Sequence, residues 1–267
     1  MIQMTTKQFF PLVALVLATV WLSGCTTVPV TGRSQLNLMG VGEEMQLGLT
    51  SFDKLKKETP ITRDVAANAL VQKVGRRIAA VAGPDMPNAQ WEFVVFESPE
   101  ANAFCLPGGK VGVYTGILPI TKDEAGLATV LGHEIAHAVA RHGGERMTTA
   151  MVLQGGGKVV GAALSSSDPM VQQASLLAYG AVAKVGAELP HSRLQESEAD
   201  HIGLTYMARA GYDPKAAVGF WQRFAAFNQK QGGSTPSFLR THPTDVRRIQ
   251  QLQAWLPEAQ AQFKPAR

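Results

Sequence analysis

The fold of this protein is decided by residues 121–144, which read TKDEAGLATVLGHEIAHAVARHGG. At the start of this stretch, Thr121 and Glu124 match a capping box, and the two glycines at its end match a helix stop. The apolar residues between these signals recur with a helical period. We therefore predict one long helix with the string HEIAH in its middle.

The string HEIAH, residues 133–137, places two histidines four residues apart on the predicted helix. At about 100° per residue, His133 and His137 project about 40° apart on successive turns, so both imidazoles can bind one metal ion. Glu134 lies beside that line, where its carboxylate can accept a proton from water without occupying the metal. The spacing therefore predicts two metal ligands and one general base.

A hydrolytic zinc site needs a third protein ligand and an open fourth position. Ser192 and Gln195 form a second capping-box pattern, and the helix that they start carries Glu196 and Asp200 on one face. Glu198 points to another face. We choose Glu196 as the ligand and expect Asp200 to accept the free ring N–H of a histidine ligand. Spacing alone leaves a solvated acidic helix face as the alternative.

The rest of the chain predicts a mainly helical domain with a small sheet. Of the 267 residues, 45% are apolar and 17% are charged, which is enough for one sizeable core. Short aromatic and β-branched runs at 91–96, 102–106 and 111–115 predict about three strands, with a hairpin turn at 107–110. The 25 basic and 21 acidic residues are interspersed, which argues against nucleic-acid binding. We predict an α+β, mainly helical fold.

The N-terminal residues resemble a bacterial lipoprotein leader. Lys7 precedes an apolar run that is too short to span a bilayer comfortably, and the run ends in LSGC at 22–25. A short membrane anchor with an incidental cysteine is the alternative. Thr26, rather than an Asp, after the cysteine favours the outer membrane, to which the lipid would attach the protein. We predict a signal peptide at 1–24, a lipidated Cys25 and tether at 25–39, and the metal-binding domain at 40–267.

Together, these residues resemble the gluzincin zinc metallopeptidases, a group that includes the CAAX prenyl protease, mitochondrial Oma-type proteases and the bacterial proteins HtpX, BepA and LoiP. The resemblance covers about residues 32–255, most of the chain. The lipobox and the string TGR at 31–33 favour the lipoprotein branch, close to LoiP. The other motifs that carry the resemblance are NAFCLPGG at 102–109, HEIAH at 133–137, SRLQESEAD at 192–200, and THP at 241–243 followed by Arg248-Ile249.

This resemblance implies a zincin-type metallopeptidase domain that binds one Zn²⁺ per chain, with Glu196 as the third ligand and Asp200 behind the ligands. It also implies that the strand containing Asn102, Ala103 and Phe104 borders the cleft. Such a strand can pair main chain to main chain with an extended substrate, a mode of binding that demands little sequence and suits unfolded polypeptides.

His242 has two rival roles: it donates to the oxyanion of the tetrahedral intermediate, or it fills the fourth zinc position and inhibits the resting enzyme. A loop histidine with neither role is a third alternative. Arg248 is expected to brace this region. Cys105 is interpreted as a small buried apolar residue, not a nucleophile. The remaining histidines, interpreted as structural or surface residues, are His142, His191 and His201.

The predicted function is zinc-dependent hydrolysis of peptide bonds in misfolded or unfolded envelope proteins, at the periplasmic face of a bacterial outer membrane. The expected partners are those polypeptides, the membrane through a lipid anchor, and outer-membrane assembly factors, but no nucleic acid. The alternative is a zinc-containing, chaperone-like binding or assembly factor for outer-membrane proteins whose proteolysis is latent. Both functions use the same motifs, so the sequence does not separate them.

Overall fold

The computed structural model describes residues 25–163, 192–230, 236–243 and 246–265, and the predicted signal peptide and His191 lie outside them. The described strands are β1 (Cys25–Thr27), β2 (Ser34–Leu36), β3 (Glu92–Phe96), β4 (Ala103–Leu106) and β5 (Lys110–Tyr114). The described helices are α1 (Val41–Glu58), α2 (Val65–Ala82), α3 (Leu118–Thr121), α4 (Glu124–Val139), α5 (His142–Ala163), α6 (Arg193–Arg209), α7 (Lys215–Lys230), α8 (Ser237–Thr241) and α9 (Val246–Gln262). The predicted α+β, mainly helical class is confirmed. Among these residues, no helix has the length and hydropathy needed to cross a membrane.

The larger sheet has three strands, the number that the sequence predicts, in the order β3-β5-β4. β3 runs parallel to β5, and β4 runs antiparallel to it. The β4–β5 hairpin turns at Pro107 and Gly108, where the Gly109 N–H donates to the Leu106 carbonyl at 3.2 Å and Gly108 has φ +84°. Proline followed by a glycine with positive φ is the pattern of a type II turn. This order leaves β4 at an edge of the sheet.

α4 is the predicted HEIAH helix, but its ends differ from the prediction. Its N-cap is Asp123, whose Oδ1 accepts from the Gly126 N–H at 2.8 Å. Thr121 ends α3 instead, because Lys122 takes a positive φ of 69° and separates the two helices. α4 also stops before the glycine pair, at Val139, since Arg141 adopts the left-handed conformation (φ 54°) that usually requires glycine.

α4 crosses α6 at very short range because two glycines face each other at the crossing. A Cβ on Gly132 would lie 2.9 Å from the Gly203 carbonyl oxygen, and one on Gly203 would lie 2.9 Å from the main-chain nitrogen of His133. The predicted capping box of Ser192 and Gln195 is present at the start of α6. The close crossing brings the acidic first turns of α6 against the HEIAH string.

The central position of α4 explains why its helical period carries an unusually apolar sequence. All of residues 126–139 are buried, and the helix packs against α2, α6, α7 and β4. The polar side chains of HEIAH therefore lie inside the domain. They lie beside an aromatic cluster, and the ring of Trp221 is 5.8 Å from that of His133. Such buried polar groups are costly unless they are paired or bind a metal.

The segment predicted as a tether, residues 25–39, contains a two-stranded hairpin. β1 pairs antiparallel with β2, and Cys25 is exposed at the start of β1. Val28 is buried, and Gln35 donates through Nε2 to the Ala140 carbonyl at the end of α4. Ala140 lies 105 residues from Gln35 in the sequence, so no local pattern indicates this contact. The lipidated tether at 25–39 stays a prediction.

Candidate metal centre

Four buried side chains bring their ligand atoms within 4.8 Å of one another: His133, His137, Glu196 and His242. The two Nε2 atoms of the HEIAH histidines are 3.1 Å apart. His242 Nδ1 lies 3.2 Å from His133 Nε2 and 2.9 Å from Glu196 Oε1. The structure thus brings the three predicted ligands together and adds His242 to them.

Two carboxylate oxygens in this cluster make it fit a cation. Glu134 Oε1 and Glu196 Oε2 are buried and accept no hydrogen bond from the described residues. Arg248 Nη1 lies 3.0 Å from Glu196 Oε2, at ion-pair distance but without hydrogen-bond geometry. Imidazole nitrogens together with a carboxylate oxygen are the donor set that Zn²⁺ prefers. The residues present therefore fit one zinc ion.

The carboxylates also shape the electrostatics of the cluster. Burial lowers the pKa of His133, but the charge of Glu196 and hydrogen bonds with Asp200 and Glu196 outweigh burial and raise that pKa to about 9. Burial alone would raise the pKa of Glu196, yet the surrounding imidazoles, His133 first, hold it well below its usual range. The same negative field that favours a proton on His133 favours a divalent cation in its place.

Glu134 lies at the side of the four-residue cluster. Its Oε1 is 3.4 Å from His242 Nε2. Burial raises the pKa of Glu134, and the nearby His242 and His133 only partly oppose that shift. A carboxylate with a raised pKa takes up a proton more readily, which suits a general base that must later return it.

His133 is braced by residues of α6 and α9. Its Nδ1 lies 2.9 Å from Asp200 Oδ1, which leaves Nε2 facing the cluster. Arg248 grips the same carboxylate with two hydrogen bonds, from Nε at 2.7 Å and Nη2 at 2.8 Å, and its guanidinium lies 3.4 Å from the ring centre of Trp221. Asp200 and Arg248 thus contact His133 on its Nδ1 side, and their role behind the ligands stays a prediction.

His137 is braced by residues that the sequence analysis did not assign to the site. Its Nδ1 lies 2.8 Å from Nδ1 of His142, and His142 Nε2 lies 3.0 Å from Glu198 Oε2. Arg33 donates from Nε to the same oxygen at 2.7 Å, and the Thr31 hydroxyl donates to the other one. His142, interpreted from the sequence as a structural or surface residue, is thus buried and contacts a predicted ligand, and Glu198 faces away from Glu196, toward His142.

The pKa shifts of His142 and Glu198 agree with the hydrogen bonds that these residues make. Burial lowers the pKa of His142, which favours the neutral ring. Burial alone would raise the pKa of Glu198, but hydrogen bonds from His142, Thr31 and Arg33 lower it to about 2. Glu198 is thus a fixed negative charge that accepts from every neighbour.

The strand β4 contains Ala103 and Phe104, with Asn102 just before it, and lies beside α4. Its outer edge pairs with no strand in the described part of the chain. Cys105 on the same strand is half-buried, and burial together with the charge of Glu134 raises the pKa of its thiol. A thiol with a raised pKa is a poor nucleophile.

His201 lies apart from the cluster, 3.1 Å from Glu258.

Comparison with known proteins identifies the family. The model of "Peptidase family M48" matches residues 66–256. The mitochondrial metalloendopeptidase OMA1 of Schizosaccharomyces pombe is 38% identical over 236 residues, which are 87% of this chain and 67% of that protein. OMA1 of Homo sapiens is 31% identical over 86% of this chain and 46% of its own length. The β-barrel assembly-enhancing protease of Escherichia coli is 26% identical over 84% of this chain and 46% of its own length.

These relatives correct one prediction. The proteins that match at 31–38% identity over most of the chain are named as mitochondrial enzymes, and this finding overturns the predicted lipid-anchored location at a bacterial outer membrane. The narrower placement near LoiP stays a prediction. Enhancement of β-barrel assembly is in the name of the E. coli relative and is said of that protein alone.

The family match and the named relatives agree with a zinc site at the His133, His137, Glu196 and His242 cluster. The family model covers all three ligands predicted from the sequence and His242 as well. The OMA1 relatives are named as metalloendopeptidases. The chain therefore belongs to peptidase family M48 and is a zinc-dependent metalloendopeptidase.

Proposed function

We propose that this enzyme hydrolyses internal peptide bonds of misfolded or unfolded polypeptides, which bind in an extended conformation along β4. The observation that carries the proposal is the position of an open sheet edge beside the buried cluster. β4 packs against α4, the helix that carries Glu134, and forms the edge of its sheet.

The register of the hairpin supports main-chain recognition. The Tyr114 N–H donates to the Asn102 carbonyl at 3.0 Å. Because hydrogen-bonded and non-hydrogen-bonded pairs alternate in an antiparallel ladder, the main-chain groups of Ala103 and Cys105 point away from β5. A substrate strand can pair with this edge only where its own main chain is free of other partners, so unfolded segments are favoured over folded ones.

The side chain of Phe104, which is half-buried, packs onto the domain. Its ring packs into an aromatic group with Phe52, Phe96 and Tyr114, at centroid distances of 6.2 to 6.3 Å. The residue therefore fixes the strand to the domain. At the edge, the Cys105 main-chain groups and the Ala103 carbonyl face away from β5, while the Ala103 N–H donates to Asn102 Oδ1 at 3.0 Å.

We assign the zinc ligands as His133, His137 and Glu196. Zinc supplies Lewis-acid chemistry, which polarises a carbonyl and lowers the pKa of water. Glu134 accepts a proton from the attacking water as the water oxygen bonds to the scissile carbonyl carbon. The same carboxyl then delivers that proton to the leaving amine nitrogen as the C–N bond breaks, so Glu134 returns to its starting state.

His242 supports a second candidate function, polypeptide binding with latent proteolysis. Its Nδ1 lies against His133 and Glu196, which favours the role of a fourth ligand over that of an oxyanion donor. Its Nε2 faces Glu134 at 3.4 Å. A side chain in this position competes with water and substrate, so an enzyme in this state binds polypeptides without cleaving them until His242 moves.

The substitution Glu134→Gln tests the proposal because it keeps the shape of the side chain and removes the base. We expect the variant to retain zinc, measured as metal content, and to cleave reduced, carboxymethylated lysozyme about 10²–10⁴-fold more slowly than the wild type. Native lysozyme serves as the folded substrate and should resist both proteins. Glu43→Gln, on the exposed side of α1, is the matched control and should cleave normally.

Two results would change the assignment. Cleavage by Glu134→Gln at the wild-type rate would remove Glu134 from the mechanism. Tight binding of the unfolded lysozyme by the wild type without any cleavage would favour the latent binding function instead.

A further inference from the structure

An unbroken line of hydrogen bonds joins the metal cluster to the N-terminal hairpin. It runs from His137 through His142 and Glu198 to Arg33, with atom-to-atom distances of 2.8, 3.0 and 2.7 Å. His142 is fully buried, and the side chain of Glu198 is only 4% exposed. Nothing in the HEIAH pattern or its spacing requires an arginine so far from the ligands in sequence.

The line has a defined direction because Arg33, at its outer end, can only donate. Glu198 accepts from Arg33 and also accepts the Nε2–H of His142. With Nε2 of His142 as the donor, its Nδ1 offers a lone pair, which accepts the Nδ1–H of His137. His137 is left with a lone pair on Nε2, the atom that faces the cluster. The hydrogen bonds therefore select the one tautomer of His137 that can bind zinc through Nε2.

Arg33 is placed so that it holds Glu198 in this role. Its Nε donates to Glu198, while Nη1 and Nη2 donate to both oxygens of Glu145 at 2.7 and 3.0 Å. Glu145 is fixed in turn by Gln195 Nε2 at 2.7 Å. A guanidinium held by two carboxylates has a single geometry, and a lysine cannot reproduce both contacts at once.

We propose that Arg33 is a positioning residue for the zinc ligand His137 and acts on it through Glu198 and His142. The N-terminal hairpin is then part of the metal site, although it lies outside residues 66–256 that the family model matches. The proposal rests on the zinc ligands assigned above. Loss of partners behind a metal ligand lowers metal affinity about 10–100-fold.

The test compares Arg33→Gln with Arg141→Asn. Arg141 ties the same N-terminal region to the domain, through Glu44 and the Met39 carbonyl, but makes no contact with Glu198. Asparagine suits the left-handed backbone at this position. For each variant, the zinc dissociation constant is measured by competition with a chelator of known affinity, the absorption spectrum of the Co²⁺ form is recorded, and the thermal midpoint of the metal-free protein is determined.

We expect Arg33→Gln to raise the zinc dissociation constant about tenfold and to alter the Co²⁺ spectrum. Arg141→Asn should lower the thermal midpoint but leave zinc affinity and the spectrum unchanged. Arg33→Lys should restore part of the affinity, since it returns a positive charge to Glu198. Because these measurements need no substrate, they remain decisive if the proposed cleavage of unfolded polypeptides is wrong.

The proposal is overturned if Arg33→Gln binds zinc as the wild type does, or if Arg141→Asn weakens zinc binding equally, since the hairpin would then act only as a general clamp. If Arg33→Gln does not fold, Thr31→Val decides the question. That substitution removes the hydroxyl that donates to Glu198 and that accepts a long hydrogen bond, 3.5 Å, from the Arg33 main-chain N–H. We expect a smaller but measurable loss of zinc affinity, and an unchanged affinity would contradict the proposal.

Discussion

The two histidines of HEIAH are braced in different ways. His133 reaches its carboxylate, Asp200, directly, and the arginine behind that carboxylate is buried at 5% exposure. His137 reaches its carboxylate only through a second imidazole, and Arg33 at the far end is 18% exposed. Two neighbouring histidine ligands can therefore be oriented either by a short, buried contact or by a longer line of hydrogen bonds that ends near the surface. The two should differ in how much stability they contribute.

The largest effect on the free energy of unfolding is expected from Arg248→Met, which removes the arginine that supports His133. The substitution leaves Asp200 and Glu196 buried without their cation. Removing one partner of a buried ion pair costs about 3–5 kcal/mol, so the free energy of unfolding in urea should fall by that amount. The neighbouring exposed Arg247→Met is the control. Equal losses from both substitutions would mean that the buried brace adds no stability of its own.

An intermediate effect is expected from Gly203→Ala, which acts on the His133 side through the backbone. The new methyl group would lie 2.9 Å from the main-chain nitrogen of His133, so α4 and α6 must move apart. Overpacking of this kind costs about 1–3 kcal/mol and should lower both the thermal midpoint and zinc affinity. Gly83→Ala, where a Cβ meets nothing within 4 Å, is the matched control. A neutral Gly203→Ala would show that the crossing does not set the position of His133.

The smallest effect is expected for the energetic coupling between the two groups of residues that support the HEIAH histidines. Asp200 and Arg248 support His133, and His142, Glu198 and Arg33 support His137. Arg33 and Arg248 share no hydrogen-bond or ion-pair partner among those described. The losses in free energy of unfolding from Arg33→Gln and Arg248→Lys should therefore add within about 0.5 kcal/mol in the double variant. Urea unfolding of the metal-free single and double variants gives the coupling energy. A coupling well above this value would mean that the two braces form one network.

The parts of the site that the sequence predicts are those set by local spacing. His133 and His137 follow from a four-residue helical interval, and Glu196 with Asp200 follows from the same interval on a capped helix. The hairpin turn of β4 and β5 is likewise a local signal. The family resemblance adds the pairing of the two helices, which spacing alone leaves open.

The parts that the sequence does not predict depend on chain reversals and distant contacts. His142 reaches His137 because Arg141 turns the chain with a positive φ after α4 ends. If the helix is assumed to continue through Arg141, the direction predicted for the His142 side chain is wrong. The N-cap of α4 was misassigned because Thr121 and Asp123 are both good caps and only the backbone at Lys122 decides between them. Arg33 meets Glu198 across 165 residues, for which no sequence interval gives a signal.

The separation of 165 residues between Arg33 and Glu198 affects when the metal site can form during synthesis of the chain. During synthesis the hairpin with Arg33 leaves the ribosome before α4, which carries two of the proposed zinc ligands, and Glu196 and Glu198 are added only with α6. A partly made chain therefore offers two imidazoles to a passing ion and holds it weakly, because neither the third ligand nor the carboxylate that orients His137 exists yet. Tight zinc binding therefore requires the helix α6, so the metal site is completed only after that helix has been made.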